Sequence, residues 1–393
     1  MKLLLVTQNF YPEIGSGANR FKNLYRLLSK NNNVNVLTTN PSYPNEKMYL
    51  NQKYWNDEVI NSGDDIYRIS MKIDKQSKSM FMRLLYYIEL GYKVRKFIKE
   101  NQAHYDVLYV TTPNIFIPWS VLFLQRLKPK KVLEVRDLWP DSLIGIEKLR
   151  IVRYIYPFLK FLEKRMYRKA HMIIINNEGF REHVQNLAPA KNIYYFPNAF
   201  RRDEIEFKDV SQEFKVIYTG NIGFAQSFEQ LIQISERLEK HKIKFNAVVY
   251  GVNAQKFIDY VEDKHFMYVS VFHEKSREEC LEMIREHNIQ LAILKDTDTF
   301  LKVLPGKIID GIGCGVPVVT NLGGYANDLI NEYQVGYSKE RASTDEIIDA
   351  ILQIKDDRAL EEKLRKNARA LVEKEFVWEN NISEFEKLLN NLK

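Results

Sequence analysis

Cysteine is scarce: the chain holds two, Cys280 and Cys314, in 393 residues. Two such thiols make no disulfide framework. They read as buried free cysteines of a reducing, cytoplasmic compartment. Long apolar runs are missing too. The most strongly apolar stretch, residues 115–124, is far short of the ~20 residues a membrane-spanning helix needs. Polar Gln8 and Asn9 follow the first apolar run too soon for a secretory signal core. The seven histidines are scattered, with no HExxH or Cys/His ligand spacing, so no metal site is expected. There is no Gly-x-Ser-x-Gly elbow and no Walker-type Gly-Lys-Ser/Thr loop. Low-complexity segments and short repeats are absent as well.

What remains is an ordinary globular composition, 45% hydrophobic and 28% charged. Such a chain buries a sizeable core, which excludes a disordered or fibrous protein. At roughly 100–200 residues per domain, its length predicts two or three domains. Lys plus Arg is 58 against 51 for Asp plus Glu, a net charge of +7. That surplus suits phosphates, nucleotides or an anionic membrane surface. It falls short of the dense basic patches of a nucleic-acid binder, so no nucleic-acid partner is expected.

Strands alternate with helices along the chain. Residues 2–7 form a continuous apolar run that suits the centre of a parallel sheet. Phe21, Leu24, Leu27 and Leu28 then recur at helical spacing over residues 20–30. The alternation continues to about residue 197, with strands at 34–38, 66–71, 107–110, 131–135 and 172–175 and helices at 81–99, 117–127 and 151–169. A second series begins at the 214–218 strand. Its helices are expected at 227–241, 275–286 and 307–314, and its strands at 245–250, 268–272, 291–294 and 316–320. The pattern predicts an α/β chain of two doubly wound domains, joined near Pro197-Asn198-Ala199-Phe200.

Ligands of open α/β sheets bind at the carboxyl ends of the strands, so the loops there carry the candidate chemistry. Gly15 and Gly17 stand between the first strand and a helix. Glycine lets backbone N–H groups approach an anion, and a helix N-terminus favours negative charge. The alternative is a plain flexible loop; the dinucleotide fingerprint lacks its third small residue. Thr219-Gly220-Asn221-Ile222-Gly223 holds the matching place in the second half. Two such loops facing across a cleft suit a large phosphorylated substrate. Leu304-Pro305-Gly306-Lys307 opens a helix that carries Asp310 one turn on. The free N–H groups and the Lys307 ammonium fit a diphosphate, and Asp310 fits ribose hydroxyls. Arg136 and Asp137 end the 131–135 strand. Asp137 reads as a general base or an orienter of the acceptor hydroxyl, and Arg136 as a phosphate or carboxylate partner; a structural Arg–Asp pair is the plainer reading. His273 lies either beside a bound base or, more commonly for its context, in a surface loop.

Residues 72–99 mix Lys72, Lys75, Lys78, Arg83, Lys93, Arg95, Lys96 and Lys99 with Phe81, Met82, Leu84, Leu85, Tyr86, Tyr87, Tyr92 and Phe97. Basic and aromatic residues on one helix mark an interfacial segment, or a core-packing helix with a solvated basic face. Residues 150–169 repeat the mix with Tyr154, Tyr156, Phe158 and Phe161, where the core-packing reading is favoured.

Taken in order, Tyr11-Pro12-Glu13, Arg136-Asp137-Leu138-Trp139-Pro140-Asp141, Pro197-Asn198, Tyr218 through Gly223, Pro305-Gly306-Lys307 and Gly315-Val316-Pro317-Val318 resemble the family-4 glycosyltransferases of the GT-B fold. The nearest branch is that of bacterial O-antigen and capsule enzymes, which includes N-acetyl-L-fucosaminyltransferases. The resemblance implies an acceptor domain over 1–198 and a nucleotide-sugar domain over 199–375, both Rossmann-like and facing across a cleft. It also implies a C-terminal helix over 376–393 that crosses back to the first domain. A UDP-sugar donor, with an N-acetylated amino sugar such as N-acetyl-L-fucosamine, and an undecaprenyl-diphosphate-linked acceptor on the cytoplasmic face of the plasma membrane would follow, without a metal or resident cofactor. The family often carries two glutamates eight positions apart before a Gly-x-Pro segment; here those positions are Lys302 and Asp310. It often carries an Arg and a Lys for the diphosphate near the second glycine loop. Residues 224–229 offer neither, so Lys302 or Lys307 takes that load. Its histidine base is not evident, and Asp137 stands in. The expected catalytic residues are Asp137 and Arg136. The expected nucleotide-sugar residues are Gly17, Gly220, Asn221, Gly223, His273, Lys302, Pro305, Gly306, Lys307 and Asp310. A nucleotide-sugar 2-epimerase of the same fold and a non-enzymatic membrane scaffold are the competing readings.

Overall fold

The computed structural model describes residues 1–43, 45–73, 79–144, 150–209, 213–295, 297 and 302–392. The chain divides into two compact units, one of Met1–Pro197 with Glu379–Lys393, the other of Asn198–Trp378.

The first unit is built on β1 (Lys2–Val6), β2 (Asn33–Thr39), β3 (Ile66–Ile69), β4 (Val107–Thr111), β5 (Lys130–Val135), β6 (Met172–Ile175) and β7 (Ile193–Tyr195). These form one seven-stranded parallel sheet in the order β3-β2-β1-β4-β5-β6-β7. Leu3, Leu4, Leu5 and Val6 are fully buried, as an all-apolar run in a central parallel strand must be. Leu5 pairs with Val36 on one side and Tyr109 on the other. The strand order reverses between β1 and β4, and that reversal opens a crevice at the strands' carboxyl ends.

Helix α1 (Ser16–Leu28) follows β1 and buries Phe21, Leu24, Leu27 and Leu28. Helix α2 (Met80–Asn101) has two apolar faces. Tyr86, Leu90, Val94 and Ile98 recur every four residues and are buried, while Phe81, Leu84, Ile88 and Tyr92 are exposed. One stripe packs on the core, as a core-packing helix requires, and the other faces outward. Lys75 and Lys78 lie outside the described residues. Helix α3 (Arg150–Lys169) likewise leaves Tyr154, Ile155, Phe158 and Phe161 exposed, although Leu159, Met166 and Tyr167 are buried.

The second unit repeats the plan with β8 (Lys215–Asn221), β9 (Lys244–Tyr250), β10 (Val269–Phe272), β11 (Ile289–Ala292), β12 (Val318–Thr320) and β13 (Gly336–Ser338). They form a six-stranded parallel sheet, ordered β10-β9-β8-β11-β12-β13, that reverses between β8 and β11. Val216, Tyr218, Phe245, Ala247, Leu291 and Val319 fill its core together with Leu231, Ile234, Phe257 and Ile351 from the covering helices. Helices α4 (Arg277–Arg285) and α5 (Gly306–Gly313) follow β10 and β11.

Several elements differ from the sequence expectation. The segment read as a loop at Gly220-Asn221 is the end of β8, because β9 pairs along its whole length, Gly220 with Val249 and Asn221 with Tyr250. β7 and β13 were not anticipated, since three residues cannot display a period. Helix Ala254–Asp263 was not anticipated either, although Ala254, Phe257, Ile258 and Val261 are buried at helical spacing. The strand expected at 316–320 begins only at Val318, beyond Pro317.

The final helix, α6 (Trp378–Asn390), lies from Glu379 onward in the first unit. Phe385 is fully buried there, stacked on Phe196 with ring centroids 4.2 Å apart and edge-on to Tyr109 at 6.2 Å.

Candidate functional site

In the second unit, the candidate residues gather at the β8/β11 reversal. Pro305 caps α5 in extended geometry with no side-chain hydrogen bond, which leaves the first-turn N–H groups without a side-chain acceptor. The next residues, Gly306 and Lys307, form the first turn. The Lys307 ammonium reaches back to the end of β8. Its Nζ donates to the Thr219 carbonyl at 2.7 Å and lies 4.5 Å from the Tyr218 ring centroid. Gly220, at φ +107°, is where that approach demands glycine: a Cβ there would stand 2.8 Å from Lys307 Nζ. Asn221 turns its Oδ1 into a buried position with no hydrogen-bond partner among the described residues. Cβ atoms at Gly223 and Gly251 would collide with the Asn221 amide, so both glycines shape its pocket.

Asp310 sits one turn beyond Lys307. Its Oδ1 accepts from Arg277 Nη1 at 2.9 Å. Burial pulls the Lys307 ammonium down to about 8, against the opposing pull of Asp310 and of Cys280. The Cys280 thiol is pushed up to about 12, mainly by burial, and stays neutral. No hydrogen bond or ion pair among the described residues joins His273 or Lys302 to this group; both side chains are exposed. Of the two candidate diphosphate lysines, Lys307 is therefore the one the fold brings to the strand ends.

Gly17 belongs to the first unit, in the opening turn of α1. Arg136, just past β5, lies against it, so that a Cβ on Gly17 would stand 2.7 Å from Arg136 Nη1. The Arg136 backbone N–H donates to Thr112 Oγ1 at 2.8 Å, which ties the β5 end to the β4 end. Its guanidinium lies 5.7 Å from the Phe21 ring centroid, and its Nε is buried without a partner among the described residues. No ion pair joins Arg136 to Asp137 among the described residues. Glu134 is instead paired with Arg20, which also donates to the Phe196 and Pro197 carbonyls at 2.7 Å each. Glu134 and Asp137 act on the Arg136 charge and Arg20 opposes them, and with the helix N-terminus beside it the guanidinium makes this corner suited to an anion.

Burial raises the Asp137 carboxyl above its ordinary range; Ser142, the Leu138 N–H and Arg136 pull the other way. The loop that carries Asp137 is anchored at Asp141, which accepts from Tyr156 Oη at 2.6 Å and from Lys160 Nζ at 3.3 Å. Fully buried Glu163 holds Lys160 at 2.5 Å and His183 Nε2 at 2.8 Å. None of Arg277, Lys160, Glu163 or His183 is marked in the sequence. Lys160 and Glu163 share α3, His183 and Arg277 sit on two other helices, and Arg277 reads in the sequence only as the first residue after the Ser276 helix cap.

The family description "Glycosyl transferases group 1" matches residues 200–371. WcaI of Escherichia coli (strain K12), named as a glycosyl transferase of colanic acid biosynthesis, is 21% identical over 339 residues, covering 80% of this chain and 82% of WcaI. Sucrose-phosphate synthase of Thermosynechococcus elongatus superposes with a TM-score of 0.76 at 15% identity, over 100% of this chain and 99% of its own. HepE of Anabaena, solved with UDP and glucose, gives a TM-score of 0.71 at 12% identity, over 100% of both chains. WaaG, a glycosyltransferase of lipopolysaccharide biosynthesis, gives 0.66 at 13% identity over 94% of this chain and 95% of its own. At these identities the structural likeness establishes the fold alone, and the family match establishes the chemistry class. The 2-epimerase reading finds no support among them. Residues 200–371 are thus a glycosyl transferases group 1 domain, and the chain that carries them is a glycosyltransferase of the GT-B fold.

Proposed function

We propose that this glycosyltransferase moves a sugar from a UDP-sugar to a lipid-diphosphate-linked acceptor during synthesis of a bacterial surface polysaccharide. The observation that carries the donor half is the group at the start of α5. There a free-capped helix start, the Lys307 ammonium and the Asp310 carboxylate stand together at the β8/β11 reversal. The ammonium and N–H groups suit the diphosphate, which becomes the leaving group and gains charge as the glycosidic bond breaks. Asp310 suits the ribose hydroxyls. HepE, solved with UDP and glucose, supports a uridine donor, and the names of WcaI and WaaG support a surface-polysaccharide product. An N-acetylated amino sugar, such as N-acetyl-L-fucosamine, is the donor sugar that the sequence resemblance favours.

The acceptor half rests on the first unit. Asp137 acts as the base that takes the acceptor hydroxyl proton, and Arg136 with the α1 N-terminus receives the acceptor's anionic group. The undecaprenyl-diphosphate assignment suits the outward apolar stripe of α2. Phe81, Leu84, Ile88 and Tyr92 are exposed there, with Arg83, Arg95, Lys96 and Lys99 on the same helix. No helix among the described residues is long and apolar enough to cross a membrane. Peripheral attachment to the cytoplasmic face of the plasma membrane through this stripe is the proposed arrangement.

Thermal melting with UDP, GDP, ADP and dTDP, with and without EDTA, tests the donor assignment. A ligand that binds only the native state raises the melting temperature. UDP alone is expected to raise it, equally with EDTA present. A preference for another nucleotide overturns the uridine assignment, and no response to any nucleotide overturns the donor site placed at Lys307 and Asp310.

Sedimentation with phosphatidylglycerol vesicles tests the membrane assignment. Leu84→Asp with Ile88→Asp is expected to abolish vesicle binding while the far-ultraviolet spectrum and UDP response are kept, because neither side chain is part of the buried stripe. Undiminished vesicle binding by that variant removes α2 as the membrane face.

A further inference from the structure

Lys307 and Asp310 carry opposite charges one turn apart on one helix, a spacing at which such side chains ordinarily pair. Here they do not. Lys307 Nζ donates to the Thr219 carbonyl at 2.7 Å, and Asp310 Oδ1 accepts from Arg277 Nη1 at 2.9 Å. The guanidinium is itself held from behind. Arg277 Nε meets Glu204 Oε1 at 3.2 Å, and its carbon lies 4.9 Å from the Phe200 ring centroid. Glu204 is fixed in turn: its Oε2 accepts the Arg201 backbone N–H at 2.9 Å. Arg285 donates to the Glu204 carbonyl at 2.7 Å and to the Glu206 carbonyl at 3.1 Å. A planar fork clamped at Glu204 thus reaches Asp310 in a set orientation, which a flexible ammonium would not reproduce.

We infer that Arg277 is a positioning residue for nucleotide recognition: it holds Asp310 away from Lys307, so that the carboxylate's second oxygen is directed to ribose hydroxyls and the ammonium stays available for the diphosphate. The inference rests on the donor-site reading of Lys307 and Asp310. Without Arg277 the carboxylate turns to the ammonium one turn away, and each group then cancels the other. Burial opposes the charge on Arg277, but Asp310 and Glu204 outweigh it, so the guanidinium is charged at every working pH. Cys280 and Cys314 also lie beside the pair, with Lys275 and Glu279 acting on the first thiol and Arg285 on the second. Burial pushes both thiols up to about 12, so neither changes charge between pH 7 and 9.

The test measures dissociation constants of UDP and 2′-deoxy-UDP by calorimetry at pH 7 and pH 9, for the whole chain and its Arg277→Met, Arg277→Lys and Asp310→Ala variants. The parent protein is expected to prefer UDP by about tenfold, the effect of one hydrogen bond to a charged group. Asp310→Ala is expected to lose that preference. Arg277→Met is expected to lose it as well, and also to flatten the pH dependence of UDP binding, because a Lys307 ammonium paired with Asp310 stays protonated to higher pH. Those two changes together are not those of general unfolding, and an unchanged melting transition guards the comparison. Arg277→Lys, which keeps the charge but not the fork, is expected to recover part of the preference and guards against misfolding of the methionine variant. If Asp310→Ala loses the preference while both Arg277 variants keep it and the parent pH profile, the inference is overturned and the donor-site reading stands. If Asp310→Ala keeps the preference, the ribose assignment itself fails and takes the inference with it.

Discussion

Asp137→Asn is expected to lower turnover by about 10²–10⁴-fold, the usual worth of a positioned general base, while UDP binds as tightly as before. The substitution keeps size and hydrogen-bonding shape and removes only the capacity to take a proton. Ser142 and the Leu138 N–H both act on the carboxyl, so the loop has partners to hold an asparagine in place. The split between turnover and donor affinity is the diagnostic feature, because Asp137 belongs to the first unit and the donor group to the second. The pH profile supplies an independent check. Burial raises the Asp137 carboxyl, so the unprotonated base is lost at a higher pH than for an ordinary carboxylate. The acid limb of kcat in the parent enzyme is therefore expected above the usual carboxylate range, and that limb vanishes in Asp137→Asn. Full turnover in the variant ends the catalytic assignment of Asp137. Sugar transfer from a UDP-sugar to a lipid-diphosphate-linked acceptor, followed by radiolabel in the organic phase, is the assay.

The second large effect concerns Lys307. Replacing it with alanine is expected to weaken UDP about 10- to 100-fold, as the loss of a charge-assisted contact of ~1.5–3 kcal/mol predicts. The parent protein has a signature that alanine cannot mimic. Burial holds the free ammonium down to about 8. Binding the diphosphate favours the charged form, so the complex holds the proton more tightly than the free protein does. Affinity is then full below pH 8 and declines as pH rises through that value, by about tenfold for each unit above it until the complex also deprotonates. UDP's own terminal phosphate titrates near pH 6, below the window from 7 to 9, and ionisation of the uracil N3–H toward pH 9 affects the parent and Lys307→Arg alike, so the difference between the two profiles is what reports the ammonium. Lys307→Arg keeps a cation that does not titrate there, so its UDP affinity is expected to lack the decline that Lys307 causes. A parent profile that matches that of Lys307→Arg shows that the ammonium does not contact the phosphates.

Much of this architecture was legible beforehand, for reasons visible in single elements. Leu3 through Val6 are buried on both faces of a central parallel strand, and an unbroken apolar run is the only pattern such a strand allows. The two helix starts beside the strand ends were legible because glycine and proline have local backbone consequences that need no tertiary context. Pro305 before α5 and Gly15, at φ +125° before α1, are the examples. Lys307 and Asp310 were found together because one helical turn separates them. The double face of α2 was only half legible. Its apolar residues run almost all the way round, and composition does not say which stripe the sheet covers.

Contacts between distant elements were not legible. Arg277 and Asp310 are 33 positions apart, and nothing in either neighbourhood marks the other. Arg136 at Gly17 and Arg20 at Glu134 are of the same kind; the second pair is separated by 114 positions. Local chemistry, namely strand and helix periods, caps and the charge on one helical turn, is dictated by residues that are neighbours along the chain, and the sequence by itself determined the two doubly wound halves and the candidate strand ends. Which lysine reaches Thr219, which carboxylate an arginine occupies and which apolar stripe of α2 stays uncovered depend on parallel crossovers that bring remote segments together. Only the tertiary structure decided those, because a side chain's partner in a packed core is set by distance in space and not by distance in sequence.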